Sequence, residues 1–369
     1  MSIPVALDGA PLLGRRTGIG TYTANLLAAL AERESLQVTA FAVTLRGGAR
    51  PPDLPARARW RHLRMPARGA RAWWSRFDRP ALDLLGGRCE VAHGTNFYLP
   101  PPGRAAGVLT IHDLAYLHFP ELVHPATLAY REQVPQSLRR AAVVLTPTGA
   151  VRDEVLDAYR VEPERVLVSP LGVDPSWTAE QADDPQLRAR LGIGADYLLA
   201  AGTLEPRKGI RDLLAAYRQL RAARPDCPQL VLAGPVGWGD ELGPDGPPAG
   251  VVLTGYLSGA ELRALMGGAA LFVFPSRYEG FGLPPLEALA AGTPVVASDL
   301  PTSREVLADH ARYFPVGSVQ DLTAEVAAAL ADPPDAARRD RDRAYAAEWT
   351  WDRCADATVA GYRLAMRAA

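Results

Sequence analysis

Residues 269–300 read AALFVFPSRYEGFGLPPLEALAAGTPVVASDL. Apolar Ala270–Phe274 gives way to a loop carrying Glu279, Gly280, Phe281 and Gly282, and Pro284 and Pro285 then open a helix that holds Glu287. A second apolar run, Pro294–Ser298, follows the helix-stopping Gly292. Strand, glycine loop, helix and strand make a βαβ unit. Amide N–H groups at the start of the helix carry partial positive charge, and Gly280 and Gly282 let a guest approach the backbone closely, so the guest is an anion such as phosphate. A carboxylate inside that anion site would repel it. Glu279 in the loop and Glu287 at about the first helical turn are therefore read as acceptors for hydroxyls on either side of the phosphates, in the order sugar, phosphate, ribose.

The two glutamates around GFGLPPL, with FVFPSRY before them and ALAAGTPVVASD after, resemble the donor-site signature of the family 4 retaining glycosyltransferases. That resemblance implies the GT-B fold, an α/β architecture of two Rossmann-like doubly wound domains facing an interdomain cleft. It also implies that Glu279 contacts hydroxyls of the transferred sugar and that Glu287 holds the ribose, with Gly280, Phe281, Gly282 and Leu283 lining the donor site.

At 369 residues the chain is long enough for two or three domains, each with its own core. The net charge of −1 conceals an asymmetry. Residues 1–173 hold 21 Arg against 15 acids, or +6, and residues 174–369 hold 19 basic residues against 26 acids, or −7. The N-terminal half is thus the one suited to an anionic partner. The expected organisation is an N-terminal acceptor domain over 1–173, a polar linker over 174–194, a nucleotide-sugar donor domain over 195–348, and a C-terminal helix over 349–369 that packs back on the first domain, this last point from the resemblance. Cys89, Cys227 and Cys354 are odd in number and far apart, which supports neither a disulfide framework nor a zinc site. The start MSIPVALDGAPLLG lacks the features of a signal peptide, and no run reaches the length needed to span a bilayer, so a cytoplasmic chain, peripheral at most on the inner face of the membrane, is expected.

Val5–Leu7 reads as a buried strand, followed by the loop Gly14 to Thr17, then Gly18, Ile19, Gly20 and a helix to about Ala31. A dinucleotide fingerprint would require a third glycine where Thr23 stands. By resemblance, Gly18 and Gly20 lie near the donor phosphates. Further strands are read at 37–44, 90–93, 108–112, 142–147 and 165–173, six in all, with His112 at the carboxyl end of one, where α/β folds place ligand chemistry. VLTIHDLAYLHFPE resembles the family segment whose histidine lies against the transferred sugar, which gives His112 a catalytic role and leaves the other histidines unassigned.

The second domain opens with a strand at 197–204, then Glu205, Pro206, Arg207, Lys208 and Gly209. Two cations just past a strand's carboxyl end suit a diphosphate. Of the 40 basic residues 39 are arginine, so Lys208 is the only lysine in the chain. GTLEPRK also matches the family pattern, and with it Arg207, Lys208, His112 and Glu279 form the expected catalytic set. Gly255 and Tyr256 follow the strand at 251–255 and by resemblance lie near the base. The strand at 311–316 is followed by helical runs at 319–331 and 335–366. Asp340 and Asp342, set among four arginines in the last of these, read as a salt-bridged solvent face, and no metal is assigned.

Residues 45–80 are the least regular part. Eight arginines fall between Arg57 and Arg79 against one acid, Asp78, interleaved with Trp60, Met65, Trp73, Trp74 and Phe77. This composition suits an anionic membrane surface or an anionic acceptor ahead of nucleic acid, and equally a solvated loop and helix whose aromatics reach the core. The reading is thus a retaining glycosyltransferase moving a hexose from a nucleoside diphosphate sugar to the hydroxyl of a glycan, lipid-linked glycan or small molecule, without cofactor or metal. GDP-mannose is favoured over a UDP-hexose because TIHDLAYLHFPE and GTLEPRK resemble the mannosyltransferase-like bacterial branch that builds surface polysaccharide. A GT-B nucleotide-sugar epimerase, a Rossmann oxidoreductase and a non-catalytic sugar-nucleotide binder are the rivals.

Overall fold

The computed structural model describes residues 2–14, 18–45, 48–85, 87–177, 184–244 and 246–369. The chain divides into two compact units, one comprising Met1–His118, Pro125–Gly172 and Thr350–Ala369, the other Phe119–His124 and Val173–Trp349.

In the first unit seven strands, β1 (Ile3–Asp8), β2 (Leu36–Val43), β3 (Arg59–Leu63), β4 (Val91–Gly94), β5 (Ala106–Thr110), β6 (Val143–Thr146) and β7 (Val166–Val168), form one parallel sheet in the order β3-β2-β1-β4-β5-β6-β7. The central strands β4, β5 and β6 are buried along their whole length, as expected of a parallel sheet covered on both faces. Winding proceeds outward from β1 in both directions, so the strand order reverses between β1 and β4, where Val5 faces Val91 and Leu7 faces His93. Ligands of doubly wound sheets bind outside the carboxyl ends at such a reversal. The helix Trp351–Ala368 packs on the helix Gly18–Ala31 and on β5, and Tyr362 reaches His93 with its hydroxyl 2.8 Å from Nδ1.

The second unit repeats the scheme with β8 (Tyr197–Ala201), β9 (Gln229–Ala233), β10 (Val251–Gly255), β11 (Leu271–Phe274), β12 (Val295–Ser298) and β13 (Arg312–Phe314), all parallel, in the order β10-β9-β8-β11-β12-β13. Its reversal lies between β8 and β11, with Leu198 opposite Leu271. Leu213, Leu214, Leu230, Val273, Val296 and Phe314 are core residues of this unit. In the polar stretch 174–194, the helix Pro185–Leu191 is capped by Asp184 and belongs to this unit, while 178–183 lie outside the described residues, as do 15–17 of the first glycine loop.

Three expectations are corrected. The first sheet has seven strands rather than six, because RWRHL pairs with β2 as an edge strand with Thr39 opposite Arg59. Its alternating charges are typical of an edge kept from further pairing. The run 335–366 is two helices, Ala336–Ala347 and Trp351–Ala368, the second started by the Thr350 side chain, which accepts a hydrogen bond from the Arg353 amide. Only half of the DRD face meets solvent. Asp340 pairs with Arg343, whereas Asp342 is buried and accepts from His310 Nδ1 at 2.6 Å and Arg338 Nε at 3.0 Å.

Candidate functional site

In the second unit the sequence-predicted cations and Glu279 meet at the β8–β11 reversal. A 3-10 turn, Pro206–Lys208, follows β8 and is ended by Gly209, whose φ of +64° is cheap only for glycine. A Cβ there would stand 2.1 Å from the Pro275 carbonyl, so the turn lies hard against the end of β11. The Arg277 amide donates to the Arg207 carbonyl at 2.8 Å and ties the two loops together.

Glu279 is 8% exposed and accepts from Lys208 Nζ through Oε1 at 2.6 Å and from Arg207 Nη1 through Oε2 at 2.7 Å. Arg207 also donates to the Tyr278 carbonyl at 3.0 Å and to Glu205 Oε1 at 2.8 Å. Burial alone would raise the Glu279 carboxyl, but the charges of Arg207 and Lys208 and the hydrogen bonds outweigh it and hold it at about 2. Glu279 is therefore not simply an acceptor for hydroxyls, as expected from the sequence; its carboxylate also locks both cations, each by a charge-assisted hydrogen bond. Glu205, absent from the expected set, offsets one further charge.

The helix Leu283–Ala291 starts from Gly282 at φ +95° with no side-chain cap. Two of its first three residues are proline, so its opening turn carries N–H groups only on Leu283 and Leu286. Glu287 is the fifth residue, in the second turn rather than the first. Burial, reinforced by the negative charge of Asp174 and only partly opposed by Arg263, raises its carboxyl to about 7. The two glutamates of the motif thus ionise in opposite directions. Phe281, expected to line the donor site, has a buried ring that packs edge-on to Trp349 at 5.6 Å. Gly280 is buried beside it, and Leu283 is half-buried. Gly255 and Tyr256 lie at the carboxyl end of the edge strand β10, with the Tyr256 ring exposed.

In the first unit His112 stands two residues beyond β5, 9% exposed, between Tyr22 and Phe97, whose ring centres lie 4.7 and 5.6 Å away and nearly perpendicular. Its Nε2 is 2.8 Å from the Thr95 carbonyl, which can only accept, so Nε2 carries the proton. Burial lowers the ring below its ordinary value, and the neutral imidazole presents its lone pair on Nδ1. Thr95 Oγ1 donates to the Asp8 carbonyl at 2.8 Å, linking the ends of β1 and β5 through one residue. Gly18 and Gly20 are in the first turn of the helix Gly18–Ala31, Gly20 buried and Gly18 exposed.

Besides Glu205, two residues of the first unit escaped the sequence reading. Asp8 ends β1 with its carboxyl raised to about 6 by burial, and the Ala10 amide donates to it at 2.9 Å. Its place at the end of the first strand, beside the reversal, was the available signal. His93, buried and held at about 3 by desolvation, bridges Thr110 Oγ1 and Tyr362, both at 2.8 Å. Nothing local in VAHG distinguishes it.

Two doubly wound parallel-sheet units, each with polar residues gathered at its strand-order reversal, define a protein of the GT-B class, two Rossmann-like domains in one chain. Residues 183–349 match the family Glycosyl transferases group 1, and residues 17–172 match the Glycosyl transferase 4-like domain. O-antigen chain mannosyltransferase B of Escherichia coli is 32% identical over 285 residues, 74% of this chain and 74% of that protein. MMP alpha-(1->4)-mannosyltransferase of Mycolicibacterium hassiacum is 34% identical over 244 residues, 62% of this chain and 55% of that one. Among solved structures, sucrose-phosphate synthase from Thermosynechococcus elongatus has the same fold at 20% identity, with a TM-score of 0.74 over 100% of both chains. Anabaena HepE in complex with UDP and glucose follows at 18% identity and a TM-score of 0.70, over 98% of this chain and 100% of that one. The chain belongs to the group 1 glycosyltransferases with a 4-like N-terminal domain, and is a transferase.

Proposed function

We propose that the chain moves a hexose from a nucleoside diphosphate sugar to an acceptor hydroxyl with retention at the anomeric carbon, GDP-mannose being favoured and a UDP-hexose next. The reaction is placed in the cytoplasm, in surface polysaccharide or glycoconjugate synthesis. The observation that carries this reading is the convergence of Arg207 and Lys208 on Glu279 at the β8–β11 reversal, beside the start of the helix that holds Glu287. The mannosyltransferase names of the two relatives above support the choice of sugar.

In this reaction the bond from the anomeric carbon to the phosphate oxygen breaks, the bond to the acceptor oxygen forms on the same face, and the acceptor's proton passes to the departing phosphate. Negative charge grows on the phosphate oxygens, and Arg207, Lys208 and the amides of Leu283 and Leu286 stabilise it. Those cations take the place of a divalent metal. Glu279 keeps both of them in position before the donor arrives, and its remaining lone pairs accept sugar hydroxyls. Glu287 accepts from the ribose, and His112 accepts a substrate hydroxyl through Nδ1.

A thermal-shift panel with GDP, UDP, ADP, NAD and their sugar conjugates, with and without EDTA, tests this. A ligand at about 100 times its dissociation constant adds about 2.7 kcal/mol to stability. A metal-independent shift with one nucleoside diphosphate, lost in Lys208→Ala and Glu287→Ala, is expected, together with release of that diphosphate only when an acceptor is added. Conversion of the donor without acceptor would instead indicate the epimerase, and a shift with NAD alone would overturn the reading.

A further inference from the structure

The segment after β3 is built in a way that the transfer reaction does not use. In the helix Ala67–Trp74, neighbouring tryptophans point in opposite directions. Trp74 is 1% exposed, packed with Ala70 and Tyr98 and against Val43 and Met65, and its Nε1 donates to the Pro80 carbonyl at 2.9 Å. Trp73 is 54% exposed, and its Nε1 donates to the Arg79 carbonyl at 2.6 Å. The two indoles therefore hold the strap 75–80 from both sides. That strap presents Phe77, 52% exposed, with its ring centre 4.7 Å from that of Trp73. Although fixed in place, both residues of this aromatic pair stay more than half exposed.

The charge around the pair is one-sided. Asp78, the only acid from 57 to 79, is bound by Arg140 at 2.8 Å, a residue from outside the segment. Arg57 is matched by Glu32 at 3.5 Å. Among the described residues, Arg64, Arg68, Arg76 and Arg79 have no carboxylate within ion-pair distance, and all four are exposed. Aromatic rings that reach outward amid uncompensated arginines match the boundary of an anionic bilayer, where rings enter between headgroups and guanidinium groups meet lipid phosphates.

We propose that the helix Ala67–Trp74 and the strap to Pro80 dock the first unit on an anionic lipid surface, with Trp73 and Phe77 inserted and Arg64, Arg68, Arg76 and Arg79 on the phosphates. Each arginine brought to such a surface multiplies partitioning about fivefold, the equivalent of about 1 kcal/mol. The proposal goes beyond the transfer reaction, and its test uses no donor or acceptor.

The test is co-sedimentation of the full chain with phosphatidylcholine vesicles and with phosphatidylcholine–phosphatidylglycerol vesicles, at low and high salt. Binding is expected only to the anionic vesicles, and it should fall steeply with salt. The double variant Trp73→Ser, Phe77→Ser should weaken it at least tenfold, and Arg68→Gln, Arg76→Gln, Arg79→Gln by roughly a hundredfold, on the fivefold-per-arginine scale. Arg218→Gln, Arg341→Gln, Arg363→Gln, the same charge removed from exposed positions elsewhere, should leave it unchanged. No binding to the anionic vesicles, equal loss in the control triple, or binding indifferent to Trp73 and Phe77 would each overturn the proposal. So would tighter, aromatic-dependent binding to a single-stranded RNA, which would make nucleic acid the partner.

Discussion

Glu287→Gln separates a half-buried, reluctantly ionised carboxyl from an ordinary helix-surface glutamate. Burial, with Asp174 adding to it, raises Glu287 from 4.5 to about 7. Ionising it in the folded chain therefore costs about 3 kcal/mol more than in the unfolded one, since 7 − 4.5 = 2.5 and each pH unit is worth about 1.4 kcal/mol. The sign follows from proton binding. Between pH 4.5 and 7 the folded state holds this proton and the unfolded state has released it, so stability falls as pH rises through that window and levels off above it. Glutamine cannot ionise, so the stability of the variant relative to the wild type should climb by about 3 kcal/mol from pH 4.5 to pH 8. Urea unfolding of both proteins without nucleotide, across that range, measures the difference, from which Asp8 and every other shared titration cancel. Asp174→Asn should flatten part of the wild-type dependence by removing the neighbouring charge. A difference that stays level with pH would refute the assignment of an uncharged Glu287 near neutrality. The same variant should also lose the nucleotide-induced thermal shift above pH 7, where Glu287 is ionised, because an amide oxygen is a poorer acceptor for ribose hydroxyls than a carboxylate.

Glu279→Gln should behave in the opposite sense, since its folded value of about 2 lies below 4.5: its stabilisation is present above pH 4.5 and is lost as pH falls towards 2. At pH 7 the substitution should cost about 3 kcal/mol in urea melts by leaving Arg207 and Lys208 without their carboxylate, and a loss under about 1 kcal/mol would show that the cluster is not coupled. Lys208→Ala should lower turnover by about 10²-fold with the chain still folded at 25 °C, and full activity would remove Lys208 from the mechanism. Gly209→Ala should destabilise by about 2 kcal/mol or more, because its Cβ would meet the Pro275 carbonyl at 2.1 Å, and should weaken the nucleotide shift alongside; an unchanged melting temperature would contradict the close approach.

The βαβ core of the second unit was legible because its two strands are continuously apolar and its loop and helix end are punctuated by glycine and proline. Periodicity carries less at edges. Arg59–Leu63 alternates charge with bulk, a pattern shared by a solvated loop and an edge strand, and only pairing with β2 decides between them. The break at 348–350 contains neither glycine nor proline; a threonine cap makes it. Long-range partners were invisible for a different reason. Asp342 sits in a run that looks like an exposed ion-pair face, and His310, 32 residues earlier, folds onto it. Likewise the spacing of Glu279 and Glu287 places them correctly on loop and helix, but their opposite ionisation depends on Arg207, Lys208 and Asp174, which no local window contains.

The solitary lysine has a spectroscopic consequence. With 39 arginines and one lysine, the chain has a single side-chain amine, and that amine lies 2.6 Å from Glu279 in the second unit. Reductive methylation with isotope-enriched formaldehyde would therefore place one side-chain label in the molecule, besides any on the terminal amine. Its ¹³C resonance would report directly on the charge and exposure of the candidate site as nucleotides are titrated, with no cysteine to engineer and at most the terminal amine to tell apart from it.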